Sequence, residues 1–256
     1  MRKIWIPISV LLIICFSFLI APNDPHYVDM SNRLADATLE NPLGTDVLGR
    51  CVLSRIMYGG LTTIGIVLIA GLIVLFFGIW IGLLISQRDR IIFDSLLNAI
   101  TAIPPIAYLI IFVSTWGNSL KTMIVAITIS LILRVIKLVK SRTEVEMSKA
   151  YITCAKACGA GSLRVKYVHI LPNIMDDVLA FICLSCADTI LAIVGFSFIG
   201  IGLGDELVDW GKMVLEAKQL IQVKPILTIF PVLMIFITTV SFYNLGTRIG
   251  EKNARN

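Results

Sequence analysis

Apolar runs alternate with polar, charge-bearing segments along the whole chain, and six of the runs approach the 20 or so apolar residues needed to cross a hydrocarbon core of about 30 Å. They cover residues 4–21, 62–86, 99–116, 122–139, 175–199 and 225–245. Backbone groups in lipid must be paired, so these runs predict six transmembrane helices. The third contains Pro104 and Pro105, which predicts either a kinked helix or a re-entrant segment. No internal repeat or low-complexity tract interrupts the pattern.

Composition agrees with this reading. The chain is 57% hydrophobic and 15% charged, well below the roughly 25% charged residues usual in soluble domains. The first run follows Arg2 and Lys3 and is about 18 residues long, which is long for the apolar part of a signal peptide. With further runs behind it, an uncleaved first helix is expected. The organisation expected is residues 1–60 as the first helix and an external loop, and 61–250 as a core of five helices with a cytoplasmic loop at 141–173.

Charge placement then changes the picture. A net charge of +5 would suit nucleic acid in a soluble protein, but in a membrane chain the position of each Lys and Arg sets orientation. With the N-terminus inside, fifteen of the 22 basic residues lie on the cytoplasmic side. These are Arg2, Lys3, Arg88, Arg90, Arg134, Lys137, Lys140, the five of loop 141–173, Arg248, Lys252 and Arg255. Arg134 and Lys137 are placed at a helix end, where long side chains reach back to the interface. Most acids, among them Asp46, Asp205, Glu206, Asp209 and Glu216, fall in the outer segments 22–60 and 200–224. Cys51 is placed in the outer loop and Cys154 and Cys158 in the inner one. An impermeant thiol reagent applied outside is therefore expected to reach only Cys51. The six cysteines imply no disulfide framework.

The inner loop carries the most distinctive chemistry. "EVEMSKAYITCAKACGAG" has helical spacing up to Gly159, and Gly159, Ala160, Gly161 and Ser162 break it. Ser162 is expected to cap a second helix, "LRVKYVHILPN", which Pro172 is expected to end. The product is a helix–turn–helix lug with small residues (Ala155, Ala157, Gly159, Ala160 and Gly161) at its tip. Small residues let another protein's surface approach closely; a basic loop lying on anionic lipid is the alternative.

The spacing in this loop resembles the cytoplasmic coupling motif of ABC importer permeases, written Glu-Ala-Ala, three residues, Gly, nine residues, Ile, one residue, Leu-Pro. Ala155, Gly159, Leu171 and Pro172 fit it; Thr153, Cys154 and His169 stand at the Glu, first Ala and Ile positions. Tyr151 and the run "HILPN" (169–173, ending at Asn173) are similar to the peptide/nickel subfamily. Three further blocks also resemble that subfamily: "NPLGTDVLGRCVLSRIMYGG" (41–60, with Cys51 for Asp), "GFSFIGIGLG" with "DWG" (195–204 and 209–211), and "FYNLGTRI" (242–249, with Thr247 for Asp). "KLVK" (137–140) stands where the family usually has Arg-Leu-Val-Arg.

This resemblance implies an all-α polytopic membrane protein of the MetI-like type I ABC importer permease fold. It would have six transmembrane helices and both termini in the cytoplasm, and lie in the cytoplasmic membrane of a prokaryote. It implies a non-catalytic subunit that forms half of a pore, with no cofactor and no bound metal. The implied partners are a second permease, two cytoplasmic ABC ATPases, an extracytoplasmic substrate-binding protein and membrane lipid, with no nucleic acid. The ATPase-coupling residues implied are Tyr151, Ala155, Gly159, Ala160, Gly161, His169, Leu171, Pro172 and Asn173. The sequence holds no G-x-x-x-x-G-K-[ST] phosphate loop, so ATP hydrolysis would belong to the partners. The subfamily's cargo spans peptides, nickel or metal–chelator complexes and opines.

Asp188 sits midway along the fifth run, where a charge must face a cavity or a partner. It could line a cation path or make an interhelical hydrogen bond, and with Cys183 and Cys186 nearby a metal site is a third, weaker option. An ion-coupled secondary transporter or channel built on Asp188, with Asp94, is the competing function. A membrane enzyme finds no catalytic constellation. Asp46 and Arg50 read as a pair that orders the outer loop, and Trp210 as an interfacial anchor.

Overall fold

The computed structural model describes residues 2–86, 91–201, 203–204 and 207–253, with side chains between Ile4 and Glu251 apart from 91–93. Of the residues used above, Arg88, Arg90, Gly202, Asp205, Glu206 and Arg255, and the side chains of Arg2, Lys3 and Lys252, lie outside this description.

The helices are α1 (Arg2–Phe16), α2 (Val52–Ile85), α3 (Ile91–Thr101), α4 (Pro105–Trp116), α5 (Leu120–Met147), α6 (Ala150–Ala157), α7 (Ser162–Arg164), α8 (Leu171–Phe198), α9 (Trp210–Ala217) and α10 (Ile226–Asn253). No strand occurs among the described residues, and the sole β pairing there is the isolated bridge Thr45–Cys51. The all-α class expected from the apolar runs is observed.

Among the described residues four helices are long and apolar enough to cross a membrane: α2, α5, the unit Ser162–Phe198 and α10. Ile4–Ile20 is a shorter apolar helix. The third run is not a simple kinked helix: Asp94–Thr101 and Pro105–Trp116 meet at 78°. The cause is Pro104, extended at φ −60°, ψ 144°, as expected before another proline. Tyr108 Oη donates to the Ile100 carbonyl across the break at 3.0 Å, adding to the bond that carbonyl accepts from the Ile103 N–H at 3.2 Å.

Pro172 does not end a helix. Val165–Ile170 form a π turn, and helix continues from Ser162 through Phe198, 37 residues. The wider turn makes room for the proline ring and for its missing N–H. At 1.5 Å per residue this unit is about 55 Å long, so about 25 Å of it projects beyond the hydrocarbon core. Ser162 is the first residue of α7, with Gly161 at the N-cap, so the cap expected of Ser162 is displaced by one position. At the other end of the chain, α2 already begins at Val52, on the N-terminal side of the expected 60/61 boundary.

The bundle closes through small residues where helices approach most tightly. A Cβ on Gly78 would lie 2.8 Å from Val135 Cγ1, and one on Gly82 2.7 Å from Val139 Cβ, at the α2–α5 contact. Gly246 does the same for α10 against α8, where a Cβ would meet the Ala180 carbonyl at 2.9 Å.

Two outer-loop expectations change. Cys51 is the N-cap residue of α2 and is 3% exposed, so an impermeant reagent finds little thiol to attack. Trp210 is fully buried rather than interfacial: its indole Nε1 donates to the Ile56 carbonyl at 2.9 Å. Its ring lies on Gly59 and Gly60, where a Cβ would come within 2.9 Å and 3.2 Å of ring atoms.

Candidate functional site

At the end of the bundle where α2 finishes and α8 begins, the expected motif residues divide into a tip and a brace. At the tip, α6 ends in a left-handed turn. Gly159 has φ +88°, and the N–H groups of Gly159 and Ala160 bond to the carbonyls of Lys156 and Ala155 at 3.0 Å. The positive φ favours glycine whatever lies outside. No atom lies within 4 Å of a Cβ placed on Gly159 or Gly161, so the tip is unobstructed. Leu163 and Val168 beside it are exposed apolar side chains, 66% and 58%. Ile152, Val165 and Ile170 point the other way and are buried. Ala155 and Ala160 are half-buried, and Leu171 and Pro172 lie where the π turn passes into α8.

The brace lies beneath. Tyr151 Oη donates to Glu146 Oε1 at 2.9 Å and accepts from Asn173 Nδ2 at 3.0 Å. Asn173 Nδ2 also donates to the His169 carbonyl at 2.9 Å. Glu146 is buried and is held in addition by Lys149 Nζ at 2.6 Å. Tyr151, His169 and Asn173 are thus brought together, and on the exposed face they lock α6 onto the start of α8. Burial pushes the Tyr151 phenol above its ordinary value, so the hydroxyl keeps its proton and the bond to Glu146.

Lys166 is a functional candidate that motif reading missed. It lies in the π turn, is 5% exposed, and its Nζ donates to the Leu83 carbonyl at 2.6 Å, near the C-terminal end of α2. The same carbonyl accepts from Ser86 Oγ at 2.9 Å, and a lysine on the last carbonyls of a helix meets the negative end of the helix dipole. In sequence it is one more inner cation; its only signal is its place between Val165 and Ile170, which share its buried face.

At the opposite end of the bundle a four-residue charge cluster ties the 22–51 loop to two helices. Asp46 Oδ2 meets Arg50 Nε at 2.7 Å and Arg55 Nη1 at 2.6 Å, while Glu216 Oε2 meets Arg50 Nη2 at 2.8 Å and Arg55 Nη1 at 2.7 Å. The Asp46–Arg50 pairing expected from sequence is present, and Arg55 and Glu216 complete it. Asp209 caps α9 by accepting from the Lys212 N–H at 3.0 Å. It is fully buried, and burial pushes its carboxyl above the usual carboxylate range.

Asp188 is separate from both ends. It is exposed on a cavity of about 270 Å³ between α4, α5 and α8, which Arg134 also lines. Arg134 therefore faces into the bundle and does not simply reach back to the interface. Asp94, the other candidate of the ion-coupled reading, pairs with Lys140 at 2.7 Å. Cys183 and Cys186 line a different, apolar cavity of about 440 Å³ together with Cys15. Among the described residues no three His, Cys, Asp or Glu side chains gather as metal ligands.

Known proteins resemble this chain in sequence and in fold. The chain is 30% identical over 222 residues to the di/tripeptide transport system permease protein DppC of Pseudomonas aeruginosa, covering 81% of this chain and 73% of that one. It is 29% identical over 248 residues to the glutathione transport system permease protein GsiD of Escherichia coli, covering 93% and 80%. Its fold matches the inward-facing MetNI methionine ABC transporter at a TM-score of 0.60 and 15% identity, over 78% of this chain and 96% of that one. Residues 74–253 match the family described as "Binding-protein-dependent transport system inner membrane component". With most of its length inside that match, the chain belongs to the family of binding-protein-dependent transport permeases, and is a multi-pass inner-membrane component of such a system.

Proposed function

We propose that this chain forms half of the translocation pore of an ATP-driven importer for short peptides, and that two cytoplasmic ATPases drive it through the tip at 150–173. The relatives named for dipeptides, di/tripeptides and glutathione support peptide cargo over nickel or opines. A second permease supplies the other half of the pore, and an extracytoplasmic binding protein delivers cargo. Six spans with both termini inside follow from the charge bias, with Ile4–Ile20 as the first span and the bent α3–α4 pair as the third.

The observation that carries this reading is the unobstructed glycine turn joined to one continuous helix, Ser162–Phe198. A push on the tip moves that helix as a unit, and Lys166 carries the same push to α2. ATP-driven closure of the ATPases then biases the outward- and inward-facing arrangements of the pore.

The test is to purify the chain from its native membrane in mild detergent and identify what comes with it by mass spectrometry. A second permease and a P-loop ATPase are expected. A chain that emerges alone, under conditions that preserve such assemblies, would favour ion-coupled transport through Asp188.

A further inference from the structure

The buried charges of the described structure all have partners. Asp46 and Arg55 sit in the outer cluster, Lys140 between Asp94 and Glu144, Glu146 on Lys149 and Tyr151, Lys166 on a carbonyl, and Asp209 on a backbone N–H. Asp188, exposed to its cavity, and Arg134, half-buried beside it, stand at membrane depth without such a partner. They line one cavity, yet neither pairs with the other nor with another described residue. Charges at this depth persist only where something polar meets them. An acid and a guanidinium held apart in one cavity fit an occupant that carries both charges itself.

We propose that the cavity between α4, α5 and α8 is an intramembrane cargo subsite that reads the two ends of a zwitterionic peptide, with Asp188 receiving the ammonium and Arg134 the carboxylate. The inference rests on the peptide-importer reading above. Geometry supports it in three ways. Counted from the outer ends of their helices, Arg134 lies about 21 Å and Asp188 about 15 Å deep, both mid-span and offset by about 6 Å. An extended two-residue peptide spans at most about 7 Å. The volume, about 270 Å³, is close to the roughly 300 Å³ at which small-ligand pockets begin.

The remaining lining suits a peptide backbone. Ser130 Oγ donates to the Ile127 carbonyl at 2.9 Å and Thr189 Oγ1 to the Ser185 carbonyl at 2.7 Å. Each hydroxyl has thereby spent its proton on its own helix and retains lone pairs to accept from ligand N–H groups. Pro104 and Pro105, at the break that opens the cavity, lack N–H groups and add apolar wall.

The test uses the complete permease–ATPase assembly in detergent without the binding protein, so that only the membrane subunits select. Radiolabelled Ala-Ala is bound and then competed with Ala-Ala, N-acetyl-Ala-Ala and Ala-Ala amide. In the wild type each blocked analogue is expected to compete about tenfold less well, the loss of one charge-assisted contact. Asp188→Asn is expected to remove the penalty for acetylation and keep that for amidation; Arg134→Gln is expected to do the reverse, while Arg134→Lys keeps both. A merely structural role cannot produce that crossed pattern. Unchanged ratios in both variants overturn the proposal. So does wild-type assembly that transports peptide yet binds none in this assay, which leaves the importer reading standing. Loss of the second permease on purification of either charge variant also overturns it, assigning these residues to the subunit interface. Failure of the importer reading is read separately, as absence of ATPase from the wild-type preparation.

Discussion

Replacing Lys166 with Met keeps the length and apolar stem of the side chain and removes only the ammonium. The Leu83 carbonyl then loses its charged donor at 2.6 Å and keeps only Ser86 Oγ, at 2.9 Å, in a place where Lys166 is 5% exposed and Ser86, the C-cap residue of α2, is 3% exposed. The lost bond from a charged donor is worth about 1.5–3 kcal/mol. Part of that is offset, because the variant no longer buries a charge. A net loosening of about 1.4 kcal/mol multiplies by about ten the fraction of time the π turn stands free of α2. The variant therefore keeps its fold, since α8 and the Tyr151–Asn173 brace are untouched, but transmits tip motion poorly. The assay is the full assembly in proteoliposomes, with ATP hydrolysis and peptide uptake measured in the same vesicles. Uptake per ATP is expected to fall severalfold at unchanged subunit stoichiometry, and Lys166→Arg, which can still donate, to recover part of it. An unaltered ratio in Lys166→Met would refute the strut.

Three other perturbations separate the remaining roles. Gly159→Asn, which tolerates a positive φ, should fold and assemble with the ATPase less well, whereas Gly159→Ala should lose about 1 kcal/mol of local stability but still dock; co-purification of the ATPase with each variant reads the difference. Trp210→Phe should cost about 1 kcal/mol through the lost bond to Ile56, and Trp210→Ala about 3–5 kcal/mol by emptying its site against Gly59 and Gly60, both measurable as thermal inactivation in detergent. Because burial raises the folded-state value of Asp209, the folded protein binds that proton more tightly than the unfolded chain, and stability falls as pH rises through the range just above the ordinary carboxylate value. Asp209→Asn keeps an oxygen for the Lys212 N–H, so it should flatten that dependence and raise the melting temperature at neutral pH.

Much of this architecture was legible because it follows from local chemistry. The apolar runs place α2, α5, α8 and α10, and the glycine turn at 159–161 stands out between helix formers. Asp188 was visible because a carboxylate in an apolar run needs a reason. What escaped depends on distant or competing contacts. Pro172 reads as a stop, yet a π turn one residue before α8 absorbs it. The charge bias put Arg134 at the interface, and only the break at Pro104–Pro105 shows the cavity that it shares with Asp188. Arg55 and Glu216 are 161 residues apart and Trp210 and Ile56 154 apart, so neither contact has a local signature. Cys51 reads as a loop thiol, but the bridge to Thr45 and the start of α2 bury it.

The most direct test of ATPase coupling at the tip uses the chain's own thiols. Cys154 is exposed on α6 and Cys158 at its C-cap, whereas Cys51 and Cys186 are buried and Cys15 and Cys183 half-buried. A short thiol-anchored photo-crosslinker placed on Cys158 in inside-out vesicles, with the other five cysteines replaced by serine, should capture a polypeptide whose fragments contain a P-loop. Labelling of Cys158 only in right-side-out vesicles, or capture of lipid with no ATPase while transport proceeds, would contradict the account.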